Sequence, residues 1–410
     1  MLKASALYIV IIISTVIAIF SASLIATAYF YRLEYQKTLR YNRLHANLKS
    51  GIALALAEKY EADGENTISL FGQEEDSVSI NKEYWGVFDA LTVKSYKLTD
   101  TLKKAFLMAV KDSVDRAAIY LADEDRPLSV SGSTRITGDV YLPKAGIKQA
   151  YVEGKPYSGK ELVYGAIKNS ERKLPTLTQA RLAEIKKWLS DSSGMEMKLR
   201  DSLSQSFYQP FALIRLPKKN ASIEGRLSGK IIVVCDTTIS IKRTASLRDI
   251  IIYAPAIVVE EGFRGSCQLF ARDSIVAGKN CAFDYPSCMG VIKPEDSKIQ
   301  AKVVLGGRTK FNGILFSWEG NRTELQTMVS LGKESYTSGE VYSSGYIKME
   351  KPLTVEGKVS CNRFIIHTPT TLYENYLIDI NINRNKRSRY YLSSPLLNAK
   401  GDKSVLKWLE

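Results

Sequence analysis

Residues 231–281 read IIVVCDTTISIKRTASLRDIIIYAPAIVVEEGFRGSCQLFARDSIVAGKNC. Apolar runs rich in Ile and Val recur at 231–234, 239–241, 250–253, 257–259, 268–271 and 274–277, and the connections hold Gly, Asn, Asp, Ser and charged residues. Runs this short, broken by turn formers, have the length of strands and not of helices. Taken in pairs they return about every 18–20 residues. A near-constant return predicts a β-solenoid of the parallel β-helix kind, in which each coil buries its inward side chains against the coils above and below. No fixed hexapeptide or nonapeptide motif is present, so an antiparallel β-sandwich is the alternative architecture.

The pattern extends both ways. Further β-prone runs follow at 303–305, 314–316, 328–331, 341–347 and 359–366, while upstream Gly132, Gly138, Gly146, Gly154, Gly159 and Gly165 punctuate short β-prone triplets. Between the two stretches, Thr178 can cap a helix reaching Leu189, with Leu182, Ile185, Trp188 and Leu189 on one face and Arg181, Glu184 and Lys187 on the other. Residues 66–71, 77–80 and 85–95 are β-prone, 73–76 form an acidic turn, and 98–114 carry both periods, which predicts a small α+β region or an extended sheet lying along the helix.

The N-terminal part is of another kind. Residues 4–31 are 28 consecutive positions without a charge, bounded by Lys3 and Arg32, and include Ala4, Ile12, Phe20 and Tyr31. A helix of that length exceeds the roughly 30 Å hydrocarbon core of a bilayer, whereas the apolar part of a cleaved signal peptide is only about 7–15 residues long. A single transmembrane helix is expected, with membrane lipid as its partner. Beyond it Leu44, Leu48, Ile52 and Leu56 recur at a spacing of four, so the helix is expected to continue with one apolar stripe. That stripe can pack on the β domain of its own chain or against other subunits. The implied division is 1–31 anchor, 32–60 amphipathic helix, 61–127 small α+β region, 128–224 glycine-punctuated β region, 225–383 solenoid-like domain and 384–410 basic tail.

Residues 40–60, RYNRLHANLKSGIALALAEKY, follow a short basic N-terminus and a span rich in Ile, Val, Ala and Ser. This combination resembles the N-terminal region of PilX-type minor pilins and large pseudopilins. In those families a comparable stretch packs into a filament or its tip complex, and Ala46, Ser50, Gly51 and Ala53 match its small positions. The resemblance implies an assembly helix carried by Leu44, Leu48, Gly51, Ile52 and Leu56, pilin-like partner subunits or self-assembly, and a C-terminal domain in the periplasm or outside the cell. No Gly-aromatic processing site is present and the first acidic residue is Glu34, so an uncleaved inner-membrane anchor fits equally. Lys or Arg at 32, 37, 40, 43 and 49 follow the span, and positive-inside counting taken alone points to a cytoplasmic C-terminal domain; large domains, however, translocate regardless of flanking charge. The phrases SVSGSTRITGDVYLP (129–143) and VYSSGYIKMEKPLTVEGKVSC (341–361) resemble bactofilin-like and other right-handed β-helix segments.

The formal charge of +14 invites a nucleic-acid partner, but the cations are scattered. The densest run, Arg384, Lys386, Arg387 and Arg389, reads as a solvated surface loop, and no specific nucleic-acid contact is expected. The five cysteines show no Cys-x-x-Cys pair and no zinc-ribbon spacing, so neither metal nor cofactor is expected. They read as buried thiols, and Cys281–Cys288 is the bridge if one forms. His45 and His367 are the two histidines, which leaves little room for Ser-His-Asp or Cys-His catalysis. Carboxylate pairs on a polysaccharide-cleaving β-helix are the remaining enzymatic reading, with Asp236 and Asp249 or Glu260 and Glu261 as candidates. Gly306 and Gly307 lack the Walker pattern, and Trp318 is a candidate sugar platform. A non-enzymatic, membrane-anchored envelope protein is the preferred reading, with envelope polysaccharide as a further potential partner.

Overall fold

The computed structural model describes residues 2–57, 64–70, 77–97, 99–112, 115–190, 202–367, 371–398 and 401–410. The side chain of Ala4 and the expected turn at 73–76 lie outside the described residues. The chain is mainly β, with one long apolar N-terminal helix, Leu2–Leu56 (α1), and a second helix, Gln179–Ser190 (α2). It divides into two compact units, residues 1–82 with 91–104, and residues 83–90 with 105–410.

In the first unit α1 runs without a break across the anchor and its continuation, and it is long and apolar enough to cross a membrane. Ile12 and Phe20 stand exposed, as do all their apolar neighbours to Tyr31. Ser14 and Thr15 satisfy their hydroxyls on the Ile11 carbonyl, and Thr27 on that of Ser23, as polar groups in an apolar helix must. Further along, Leu44, Leu48 and Ala55 are buried. The strand Gly64–Ser69 pairs antiparallel with Ser77–Trp85, and Phe88–Lys97 and Asp100–Lys111 follow in sheet order. Within 98–114 the strand covers Asp100–Lys111, and the described residues of 61–127 form strands, as the extended-sheet alternative expects and the α+β one does not; half-buried and exposed residues alternate at the start of that strand, a period that suits a sheet and not a helix.

In the second unit, twenty strands among the described residues join in one sheet that closes on itself. All but one of its pairings are parallel, unlike an antiparallel sandwich. Three ladders of inward side chains build the core. One runs Val233, Ile252, Leu269, Met289, Leu315, Val341, Val359, Ile119 and Val140. A second runs Ile239, Ile257, Ile275, Val303, Val329, Ile347 and Phe364. The third passes Phe283, Phe311, Thr337, Val355, Ile382 and Ile136. The apolar members of all three belong to one buried cluster, and apolar side chains repeating in register are what removes most surface from water. The runs 250–253 and 257–259 merge into one bent strand, Ser246–Val259, and 268–271 with 274–277 into Arg264–Ala277.

The order of these ladders differs from the order of the chain. The strand Leu353–His367 pairs with Ala117–Leu121 and with Ile380–Asn383, which together make the next tier. Arg135–Thr137 and Asp139–Leu142 make the tier after that.

One outer face of this sheet is also apolar. Ile232, Ile251, Tyr253, Phe270, Cys288, Ile314 and Phe316 pack with Trp85, Phe88, Leu107, Leu396, Leu409 and the α2 residues Leu182 and Ile185. Thr178 precedes α2, but its hydroxyl donates to the Pro395 carbonyl instead of capping the helix. Arg181, expected on the polar face, is buried and donates to Asp89 at 2.6 Å and to the Phe88 carbonyl at 2.9 Å.

Residues 384–410 are not a tail. Leu392–Ser393 and Lys403–Leu409 pair antiparallel with Asp100–Lys111, and Arg384–Lys386 forms a single 3-10 turn capped by Asn383. The five cysteines are buried and free, which removes the Cys281–Cys288 bridge. Burial pushes the Cys267 thiol up to about 12 and those of Cys288 and Cys361 well above their ordinary value. Native protein should therefore resist a thiol reagent such as Ellman's, and non-reducing denaturation should release five titratable thiols. Fewer than five after denaturation would reinstate a bridge.

Candidate functional cleft

A cavity in the second unit has a volume of about 760 Å³. Its lining comes from stretches far apart in sequence: Asp112, Asp115 and Arg116, Asp139 and Tyr141, Lys168, Glu340 and Tyr342, Lys358, and Ser393, Asn398 and Asp402. Parallel pairing brings the central ones together. Lys358 pairs with Glu340 on adjacent strands, and Tyr141 with Lys168.

Its floor is an ionic network. Asp112 accepts hydrogen bonds from Arg384 at 3.0 Å and from Arg387 at 2.9 Å. The Arg387 guanidinium, 3% exposed, also lies 3.6 Å from Glu340 and 4.3 Å over the Tyr391 ring. Glu340 accepts from the Tyr391 hydroxyl at 3.2 Å and from Ser393 at 2.9 Å. Burial raises the Glu340 carboxyl above its ordinary value of 4.5, against the pull of Arg387. The same burial raises the Tyr391 phenol.

The walls carry tighter pairs. Lys358 donates to Asp115 at 2.6 Å. Burial pushes the Asp115 carboxyl up, but the Lys358 charge and hydrogen bond with the Ala117 amide outweigh it, and the net shift is downward. Asp139 is lowered by the Ala166 amide and by Lys168, which donates at 3.1 Å. Tyr141 stacks on Tyr120 at 5.4 Å and receives Lys168 on its ring, so both its faces are covered. Tyr342 donates to the Pro175 carbonyl at 3.1 Å. The cleft is polar and charged, and its cations and carboxylates are largely matched inside it. That balance suits a hydrogen-bonding polar partner better than a strongly charged one.

The residues singled out from sequence lie elsewhere. Asp236 pairs with Arg215 at 2.8 Å and with Lys218. Asp249 instead takes both its oxygens to Lys407, at 2.6 and 2.7 Å. Glu260 accepts from Lys242 at 2.8 Å and from the Arg243 amide, while Glu261 accepts from Asn280 at 2.8 Å. Each is committed to its own local contact, and none lines the cleft. Trp318 packs on the apolar outer cluster with Lys186 4.4 Å over its ring, which takes away a bare sugar platform. His45 stacks beside Tyr41 on α1, and His367 is exposed at a strand end. Among the described residues no His, Cys, Asp or Glu group is placed to hold a metal.

The stripe expected to drive assembly is used within the first unit. Leu44, Leu48 and Gly51 are buried, with Ile52 and Leu56 half-buried. A Cβ on Gly51 would meet Val78 Cγ1 at 2.4 Å and Val93 Cγ1 at 2.9 Å, so glycine permits this close approach of helix to sheet. Ala46, Ser50 and Ala53 are exposed, together with Tyr35 and Leu39. At 3.6 residues per turn these five project from the side of α1 opposite Leu44. Compared with protein-family models, with curated proteins and with solved structures, the chain matches none.

Proposed function

We propose that the protein is a single-pass, membrane-anchored, non-enzymatic component of a pilin-like or secretion-related envelope assembly. In this reading α1 holds it in the inner membrane, and the second unit is a β-solenoid displayed on the periplasmic or extracellular side. The observation that carries the reading is the division of α1. Its first half is apolar and exposed, its second half buries one stripe on antiparallel strands, and the opposite side keeps Tyr35, Leu39, Ala46, Ser50 and Ala53 exposed. Small residues on an exposed side let a second helix approach closely. The solenoid reading is supported by the three in-register ladders and their shared core. Lipid and like subunits are the proposed partners, and envelope polysaccharide the proposed ligand of the cleft.

Site-specific photocrosslinking of the full chain in its native cells tests this. A crosslinker at Ala46 or Ala53 should capture a second helix-bearing subunit, and one at Leu48 should capture none. Equal silence at all three positions in membrane-bound protein would remove assembly. Turnover of an envelope glycan abolished by one carboxylate substitution would replace the reading with that of a tethered polysaccharide-active enzyme.

A further inference from the structure

The exposed aromatic residues of α1 sit at two levels. Tyr8 is 68% exposed and Tyr29 59% exposed, and the separation of 21 positions amounts to about 31 Å of helix. That is close to the roughly 30 Å thickness of a bilayer's hydrocarbon core. Tyrosines favour the level of the headgroups, where the ring is in hydrocarbon and the hydroxyl in water. Phe30, Tyr31 and Tyr35 thicken the second level. Immediately beyond it come Arg32 and Lys37, which enter no ion pair among the described residues, with Glu34 as the one carboxylate nearby. The next cation, Arg40, has a partner, Asp100, at 3.7 Å. The two unpaired cations therefore stand where lipid phosphates would lie, whereas Arg40 belongs to the folded unit.

We infer that α1 has a fixed membrane register, with Tyr8 and Tyr29 at the two interfaces, and that Arg32 and Lys37 form a binding surface for anionic phospholipid. This rests on the anchor reading above. Of the uncharged segment, residues outside Tyr8 and Tyr29 are interfacial and not core. The helix then needs little tilt to match the bilayer.

The test uses the full-length protein reconstituted in phosphatidylcholine vesicles with and without phosphatidylglycerol. Single cysteines replacing Ser23, Thr27, Gln36 or Asn42 are exposed on both membrane sides to an impermeant maleimide, with the buried native thiols as a quiet background. Gln36→Cys and Asn42→Cys should react at least about tenfold faster than Ser23→Cys and Thr27→Cys, because the core excludes the reagent. Equal labelling at Thr27 and Gln36 in vesicle-bound protein would overturn the register. Phosphatidylglycerol retained through mild detergent extraction should fall by about fivefold for each of Arg32→Gln and Lys37→Gln. Unchanged retention in the double variant would overturn the lipid surface. Failure of the protein to float with either kind of vesicle would instead overturn the anchor itself.

Discussion

Replacing Gly339 with alanine is expected to destabilise the second unit by about 3–5 kcal/mol, the sum of backbone strain and overpacking. Gly339 has φ +137°, and a Cβ there would lie 2.0 Å from the Gly313 carbonyl oxygen. The obstacle is backbone in a neighbouring strand, so no rotamer change relieves it. Gly313, Gly339 and Gly357 pair in register, one above the next. A methyl group at the middle one must therefore push its strand away from that of Gly313. Gly146 is the control. Its φ of +72° is equally left-handed, yet a Cβ there meets nothing within 4 Å, so Gly146→Ala should cost only about 1–2 kcal/mol from backbone strain. Denaturant midpoints followed by far-UV circular dichroism separate the two. Equal losses would mean that tier spacing does not constrain Gly339.

The second large effect is expected from Arg387→Met, at about 3–5 kcal/mol, because removing one partner of a buried ion pair strands the other charges. Arg387 lies between Asp112 and Glu340, and the side chains of all three are under a tenth exposed. Glu340→Gln should cost less, since Arg387 keeps Asp112 and the amide keeps the shape. In the double variant the losses should fall short of additive, as for groups sharing one network. The pH dependence has a definite sign. A carboxyl raised in the folded state binds more protons there than in the unfolded chain, so it weakens folding as pH rises from 4.5 through its folded value. Glu319 is raised as well and acts in the same direction, so the difference between wild type and Glu340→Gln isolates Glu340. Asp115 and Asp139, lowered from 3.8, stabilise above that value and lose their contribution on further acidification, in a separate window. Urea titrations at intervals from pH 4 to 7 should show the wild type losing stability relative to Glu340→Gln. A constant difference across that range would exclude the assigned shift.

The apolar helix and the strands were readable because their signals are local. An uncharged run of 28 residues and Ile-rich or Val-rich triplets between turn formers declare themselves within a few positions. The merging of neighbouring runs into Ser246–Val259 was hidden by Arg248, Asp249 and Pro255, which look like a boundary and act as a bend. The basic run at 384–389 misled because its partners are remote: Arg384 and Arg387 find Asp112 across 272 and 275 positions. The cleft was invisible for the same reason, since its walls come from segments that meet only through parallel pairing. The buried α1 stripe was legible as a stripe but not as to its occupant; Gly51, read as a small position suited to another subunit, is filled by Val78 and Val93 of its own chain.

The tier assembled from Ala117–Leu121 and Ile380–Asn383 constrains how the polypeptide is made. A ribosome delivers the first piece long before the second, so the edge at Leu353, Thr354 and Val355 finds its cover only after Ile380–Asn383 has been made. Until then that edge presents unpaired backbone, which favours aggregation. Completion of the sheet is thereby gated by Ile380–Asn383, and a product truncated before Ile380 would leave the edge at Leu353, Thr354 and Val355 unpaired.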